Sequence, residues 1–159
     1  MEENFKTFLR WHSLGKPFSY KEYSRLYTIG SEGKPDLVGT AAPSYSGSNY
    51  HYNPEEMLIM SLASCHMLSY LAYAANSDIK VLSYQDDAGG SLTKEGHKIS
   101  FKEVILKPKV LISEDSNVEK AVELHHKAHE ACFIANSVNF PVKISPEIIA
   151  GEIHLNSVA

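Results

Sequence analysis

Cys65 and Cys132 are the two cysteines of the chain, and a thiol is a side chain well suited to nucleophilic or redox chemistry. A buried free cysteine often serves only as a small hydrophobe, so each must be weighed by its surroundings. For Cys65 to attack an electrophile at neutral pH it must be ionised, and an unperturbed pKa of about 8.5 leaves about 3% thiolate. Helix position helps little, because Cys65 falls about three turns beyond a helix start at Asn53, past the turn where the dipole is felt. A nearby cation does better. Lowering the pKa by about 2.5 units takes roughly 3.4 kcal/mol, which a unit charge at about 4 Å supplies at an effective dielectric of roughly 20. Only Arg10 and Arg25 are arginines among the 15 basic residues, so a permanent cation beside the thiol would come from one of them.

Other side chains carry rival chemistry. His125, His129 and Cys132 recur at helical spacing, and with Cys65 or His66 as a fourth they suit zinc by ligand type, although their spacing is not that of a finger or ribbon. His126 lies off that stripe and reads as solvated. Glu55 and Glu56 have a structural explanation in the first turn of a helix, where acidic residues favour the dipole and close a cap. Tyr45, Tyr50 and Tyr52 could line an apolar ligand pocket or simply pack their loop.

The elements that must hold these residues are legible in outline. From Phe5 to about Val38 short aromatic-rich stretches lie between turn signals at Gly15-Lys16-Pro17 and Gly33-Lys34-Pro35, which predicts short strands. Ala42 to Asn53 is rich in turn formers and reads as a surface loop. Asn53-Pro54-Glu55-Glu56 is a helix start, with Asn as N-cap, Pro at the first helical position and Glu56 closing a capping box. The run Met57 to Ala75 is almost all apolar or small, long enough for a membrane span. Ser61, Ser64, His66 and Ser69 interrupt it, so the expectation is a central helix buried on most sides. Lys80 to Gln85 and Ile99 to Ile112 read as strands, with Pro108 arguing for an edge or bulge. Ser116 and Glu119 form another capping box, and the helix behind it presents Val118, Ala121, Val122, His125, Ala128, His129 and Cys132 as one apolar stripe. Pro141 to Ile149 and Glu152 to Asn156 read as one or two closing strands. The sum is an α+β domain spanning 1–159, antiparallel strands around two helices that carry one Cys each.

Composition narrows the function classes. With 15 Lys+Arg against 19 Asp+Glu the formal charge is −4, and the lysines are scattered, which argues against a nucleic-acid partner. At 159 residues and 43% hydrophobic composition one core can form without disulfide staples, since a chain of this size buries roughly 70% of its unfolded surface. The N-terminus, Met1-Glu2-Glu3-Asn4, lacks the apolar run of a signal peptide, and the expectation is a cytoplasmic protein without a membrane partner.

Three segments then carry a family resemblance: Asn53-Pro54-Glu55-Glu56-Met57-Leu58, Ala63-Ser64-Cys65-His66-Met67-Leu68 and Ala128-His129-Glu130-Ala131-Cys132. They resemble the OsmC and organic hydroperoxide resistance proteins, as does the spacing of Glu55 to Cys65. Tyr23-Ser24-Arg25, Gly33-Lys34-Pro35 and Tyr84-Gln85-Asp86-Asp87-Ala88 resemble the OsmC-like branch, in which His follows the first Cys. The resemblance runs from about Trp11 to Ile144. It implies a thiol peroxidase, without a cofactor, acting on organic hydroperoxides or hydrogen peroxide. Cys65 would attack the O–O bond and become a sulfenic acid, and Cys132 would condense with it into a disulfide reduced by an external dithiol. Arg25 matches the family's thiolate-stabilising arginine, although Leu26-Tyr27 follow where that branch often has an acidic residue and His. Glu55 matches the glutamate that holds the arginine. Roughly ten residues of helix rise about 15 Å, so Glu55 cannot adjoin Cys65 along one straight helix. The intertwined homodimer that the resemblance implies, with sites at the subunit interface, would let a partner chain or a long Arg side chain cover that gap.

Two alternatives stay open on sequence alone. One is a non-catalytic dimeric module that binds a small molecule or metal on the same fold. The other is an interaction protein whose dimer surface receives a partner.

Overall fold

The computed structural model describes residues 2–152. The described chain resolves into two compact units, one ending at Leu58 and the other beginning at Ile59.

In the first unit, three short strands form an antiparallel meander: β1 (Phe8–Arg10), β2 (Tyr27–Gly30) and β3 (Leu37–Gly39), in the order β1-β2-β3. Turns fall where the sequence signals them, Gly15 and Gly33 both taking φ of 74°, a left-handed conformation that costs a side chain dearly and glycine little. The aromatic stretch between β1 and β2 is not strand. Instead Trp11, Phe18 and Tyr23 pack edge-on or tilted, with centroids 5.8 to 6.4 Å apart. Gly39 lies so close to the Tyr27 ring that a Cβ would stand 2.4 Å from it. The loop that follows includes a single 3-10 turn at Pro43–Tyr45 and is tied down where Thr40 N donates to Tyr52 O at 3.0 Å.

Helix α1 (Pro54–Ala75) starts as expected. Glu56 N donates to Asn53 Oδ1 at 2.9 Å, and Asn53 N donates back to Glu56 Oε2 at 3.2 Å, the reciprocal capping box. Its burial differs from expectation. Within the chain only Leu62, His66, Tyr70 and Ala74 are buried, a single stripe at four-residue spacing, while Leu68 is 63% exposed and Met60 43%. By length and composition alone the helix is long and apolar enough to cross a membrane.

In the second unit, β4 (Val81–Asp86), β7 (Pro108–Ile112) and β9 (Glu147–Ala150) form one sheet in the order β4-β7-β9, and β5 (Gly89–Glu95), β6 (Lys98–Leu106) and β8 (Val142–Ile144) form another in the order β5-β6-β8. The pairs β4/β7 and β5/β6 are antiparallel, whereas β6/β8 and β7/β9 are parallel. The expected strand at Ile99 to Ile112 is two strands broken at Lys107. Pro108 opens the central strand β7 rather than lying on an edge, a first position where its missing N–H is tolerated. Strand β5 escapes the sequence reading because Gly89-Gly90-Ser91 has poor strand propensity. Its hairpin with β6 turns through Gly96, with φ of 61°, as a two-residue loop favours. Of the expected closing strands, residues 153–156 lie outside the described residues.

Helix α2 (Val118–Ala131) is capped by Asn117, whose Oδ1 accepts from Lys120 N at 2.8 Å, and not by Ser116. Ser116 Oγ is engaged elsewhere, accepting from Lys80 N at 3.0 Å. Its buried face is Ala121, Leu124, His125 and Ala128, with Val118 and Val122 exposed. Cys132 is the C-cap residue, just past the helix that was expected to carry it. The core gathers Tyr70 and Ala74 of α1, Ala121, Leu124 and Ala128 of α2, and Ile79, Val110 and Ile112. An α+β fold thus sets both helices against the β4-β7-β9 sheet.

Candidate functional site

The second unit brings the two cysteines together. Both are free, Cys65 half-buried and Cys132 fully buried. Burial pushes the Cys132 thiol up to about 11, and the neighbouring Cys65 side chain adds to that, against backbone N–H groups of the Ala135 and Ile134 turn that pull it down. Cys132 is positioned by the end of α2, its N–H donating to His129 O at 3.2 Å, and Cys65 by the middle of α1. A thiol held protonated does not compete as a first nucleophile, and it must give up its proton before it can attack an oxidised partner.

A second feature of the same helices was missed by the sequence reading. His66 Nε2 and His125 Nδ1 are 3.0 Å apart, with the rings edge to edge, their centroids 5.3 Å apart and their planes within 14° of each other. His125 also stacks on Tyr70 at 4.0 Å. All three are buried. Desolvation lowers His66 to about 4 and His125 to about 3, with the neighbouring imidazoles contributing in the same direction. The phenols follow: burial pushes Tyr70 up to about 12 and raises Tyr84, which the Asp86 carboxylate raises further. The spacing of Leu62, His66, Tyr70 and Ala74 was the available signal, hidden because nearly every residue of α1 is apolar or small. Among the described residues no three His, Cys, Asp or Glu side chains converge as a metal ion needs, so the zinc set at His125, His129 and Cys132 does not assemble.

Arg25 and Glu55 belong to the first unit. The Arg25 guanidinium stacks on Tyr23 at 3.7 Å and on Tyr20 at 5.1 Å. It donates to Tyr23 O at 2.7 Å and to Tyr20 O, which leaves Nε buried without a partner. Glu55 keeps Oε2 buried and unpartnered, and its charge adds to the burial that raises Tyr27. No ion pair joins Arg25 to Glu55 among the described residues. Arg25 lines a cleft of 310 Å³ with Trp11, Tyr23, Tyr27 and Thr40. Tyr45, Tyr50 and Tyr52, candidates for a pocket wall, are exposed and do not line this cleft. Arg10 is stacked on Phe8 instead, its guanidinium 4.3 Å from the ring centre.

A model of the family described as OsmC-like protein matches residues 47–147, from the tyrosine loop through α1 and α2 to β9. The chain belongs to the OsmC-like family. Among solved structures it is similar to an OsmC-like protein of unknown function from Vibrio cholerae, 33% identical with a TM-score of 0.84, covering 93% of this chain and all of that one. The OsmC-like fold also extends to an organic hydroperoxide resistance protein OsmC from Legionella pneumophila, 20% identical with a TM-score of 0.64, over 92% of this chain and 98% of that one. The YmaD protein of Bacillus subtilis is 26% identical over 98 residues, which span 60% of this chain and 65% of that protein's length. The family match contains Glu55, Cys65 and Cys132, whereas Arg25 precedes it.

Proposed function

We propose that this OsmC-like protein is a two-Cys thiol peroxidase. The observation that carries the reading is the meeting of Cys65 and Cys132, distant in sequence, with the more buried thiol held protonated. In the first step the Cys65 thiolate attacks the O–O bond of ROOH, forming Cys65–SOH, and the leaving alkoxide takes a proton to become ROH. In the second, the Cys132 sulfur displaces the hydroxyl of the sulfenic acid, giving the Cys65–Cys132 disulfide and water. An external dithiol then returns both thiols by exchange and is itself oxidised.

Arg25 and Glu55 are the proposed stabilising pair for the Cys65 thiolate and the peroxide oxygens. Each retains a buried polar atom without a partner, as a pair awaiting its full set of contacts would. The homodimer belongs to the same proposal. Helix α1 leaves Met60, Leu68 and Tyr73 exposed within the chain, more apolar surface than a lone core helix shows to water. A symmetric partner, with the reaction in the cytoplasm, would cover it.

The test is steady-state reduction of cumene hydroperoxide with a lipoyl or thioredoxin-type dithiol. Cys65→Ser is expected to lose activity by at least about 10³-fold, as removal of a covalent nucleophile does. Full activity in that variant would refute the reading.

A further inference from the structure

The His66–His125 contact sits between the same two helices that deliver the cysteines. His66 follows Cys65 directly on α1. His125 lies two turns before Cys132 on α2, on the same face of that helix. His125 meets His66 edge to edge, with ring centroids 5.3 Å apart and planes within 14° of each other, and lies face-on against Tyr70, one turn further along α1, at 4.0 Å. The two helices therefore meet through a directed ring-to-ring hydrogen bond of 3.0 Å rather than through apolar side chains alone.

That arrangement is not what stability alone selects. One imidazole donates and the other accepts, so the outer nitrogens, His66 Nδ1 and His125 Nε2, are left buried without a protein partner. A Leu or Phe pair of similar volume would avoid that desolvation. Directionality is what the imidazoles add. Apolar contacts tolerate sliding between helices, while an N–H···N bond fixes both separation and register. Burial keeps both rings neutral, the state in which one nitrogen of the facing pair can accept.

We propose that the His66–His125 hydrogen bond is a clasp between α1 and α2 that holds the Cys65 and Cys132 sulfurs in register for disulfide formation. His66 and His125 are thus positioning residues, acting through the helices and not on the reacting atoms. The proposal rests on the two-Cys reading for its biological use, but its physical content is the proximity of two thiols and can be measured without peroxide.

The experiment is equilibration of the protein with glutathione and glutathione disulfide, in which GSSG oxidises the dithiol to the Cys65–Cys132 disulfide and releases two GSH. The oxidised fraction, read by mass, gives the effective molarity of the pair. His125→Phe keeps the stack on Tyr70 and removes the nitrogen, and is expected to lower the effective molarity by about tenfold or more. His125→Asn places an amide near the position of Nδ1 and is expected to restore it to within about threefold of the native value. An unchanged effective molarity in a cooperatively folding His125→Phe variant would overturn the clasp, as would equal losses in the Phe and Asn variants. His66→Met serves as the second variant, with the same expected loss. If neither folds, ring-nitrogen NMR of the native protein decides. A His66–His125 pair whose signals shift when the disulfide closes supports the clasp, and signals indifferent to the state of the thiols refute it. Native effective molarity without peroxide turnover would sink the peroxidase reading and leave the clasp standing. Peroxide turnover that is normal in folded His125→Phe, with unchanged effective molarity, would sink the clasp alone.

Discussion

At the scale of single residues, the chemistry turns on what burial does to each titratable group. Cys132, pushed up to about 11, is a thiol at neutral pH, and in the proposed cycle it acts only after Cys65 is oxidised. Cys132→Ser is therefore expected to leave the first step intact. Its sulfenic acid at Cys65 should accumulate and be trapped as a dimedone adduct, while turnover with dithiol falls by about 10²-fold or more. The buried imidazoles make a pH prediction. Their folded pKa values, about 4 for His66 and about 3 for His125, lie below the unfolded value near 6.5. The stability they contribute is thus fully present above about pH 6.5 and is lost as pH falls toward 4, because the unfolded chain binds protons first. The loss from His66 alone is of order 3 kcal/mol. Thermal midpoints should drop across that window, and the drop should flatten in His125→Phe. The sequence exposed the thiols and the family pattern around them. It did not expose the His pair, because pairing His66 with His125 requires two helices to be brought face to face, which neither segment encodes locally.

Among the elements, the start of α1 was legible locally, while features that depend on tertiary contacts were not. The α1 capping box needs only Asn53 and Glu56, and both of its hydrogen bonds form. Asn53→Ala should cost about 1 kcal/mol, visible as a lower urea midpoint with unchanged m-value, and a change below a few tenths of a kcal/mol would show that the cap contributes little. The start of α2 was misplaced by one residue because Ser116 and Asn117 are both cap-competent, and a tertiary contact decides between them: Ser116 receives the Lys80 N–H. The parallel seating of β8 on β6 and β9 on β7 was likewise invisible, since strand direction depends on the path of the intervening helix. Burial of α1 was overestimated for a related reason. An all-round apolar helix reads as enclosed, yet the chain itself covers one stripe of it.

For the whole molecule, the face of α1 left uncovered leads to the expected assembly. A 17.7 kDa chain that exposes Leu68 and Met60 on a long apolar helix should elute with light scattering at twice its mass. Leu68→Asp, which places a charge on that face, should shift it toward monomer and reduce peroxidase turnover in parallel; a monomeric native protein with full activity would remove the dimer from the mechanism. Family membership was legible because the cysteine contexts and the helix start are contiguous strings, and the match over residues 47–147 contains them all. The placement of Arg25 was less so, since its segment lies outside that match and its guanidinium is held by Tyr20 and Tyr23 carbonyls.

The decisive measurement is to treat the fully reduced protein with roughly one equivalent of cumene hydroperoxide and follow free thiols and intact mass. The two-Cys cycle predicts loss of both thiols and a mass decrease of about 2 Da, at a rate far above that of free cysteine. Thiols that persist, with mass unchanged, would contradict it.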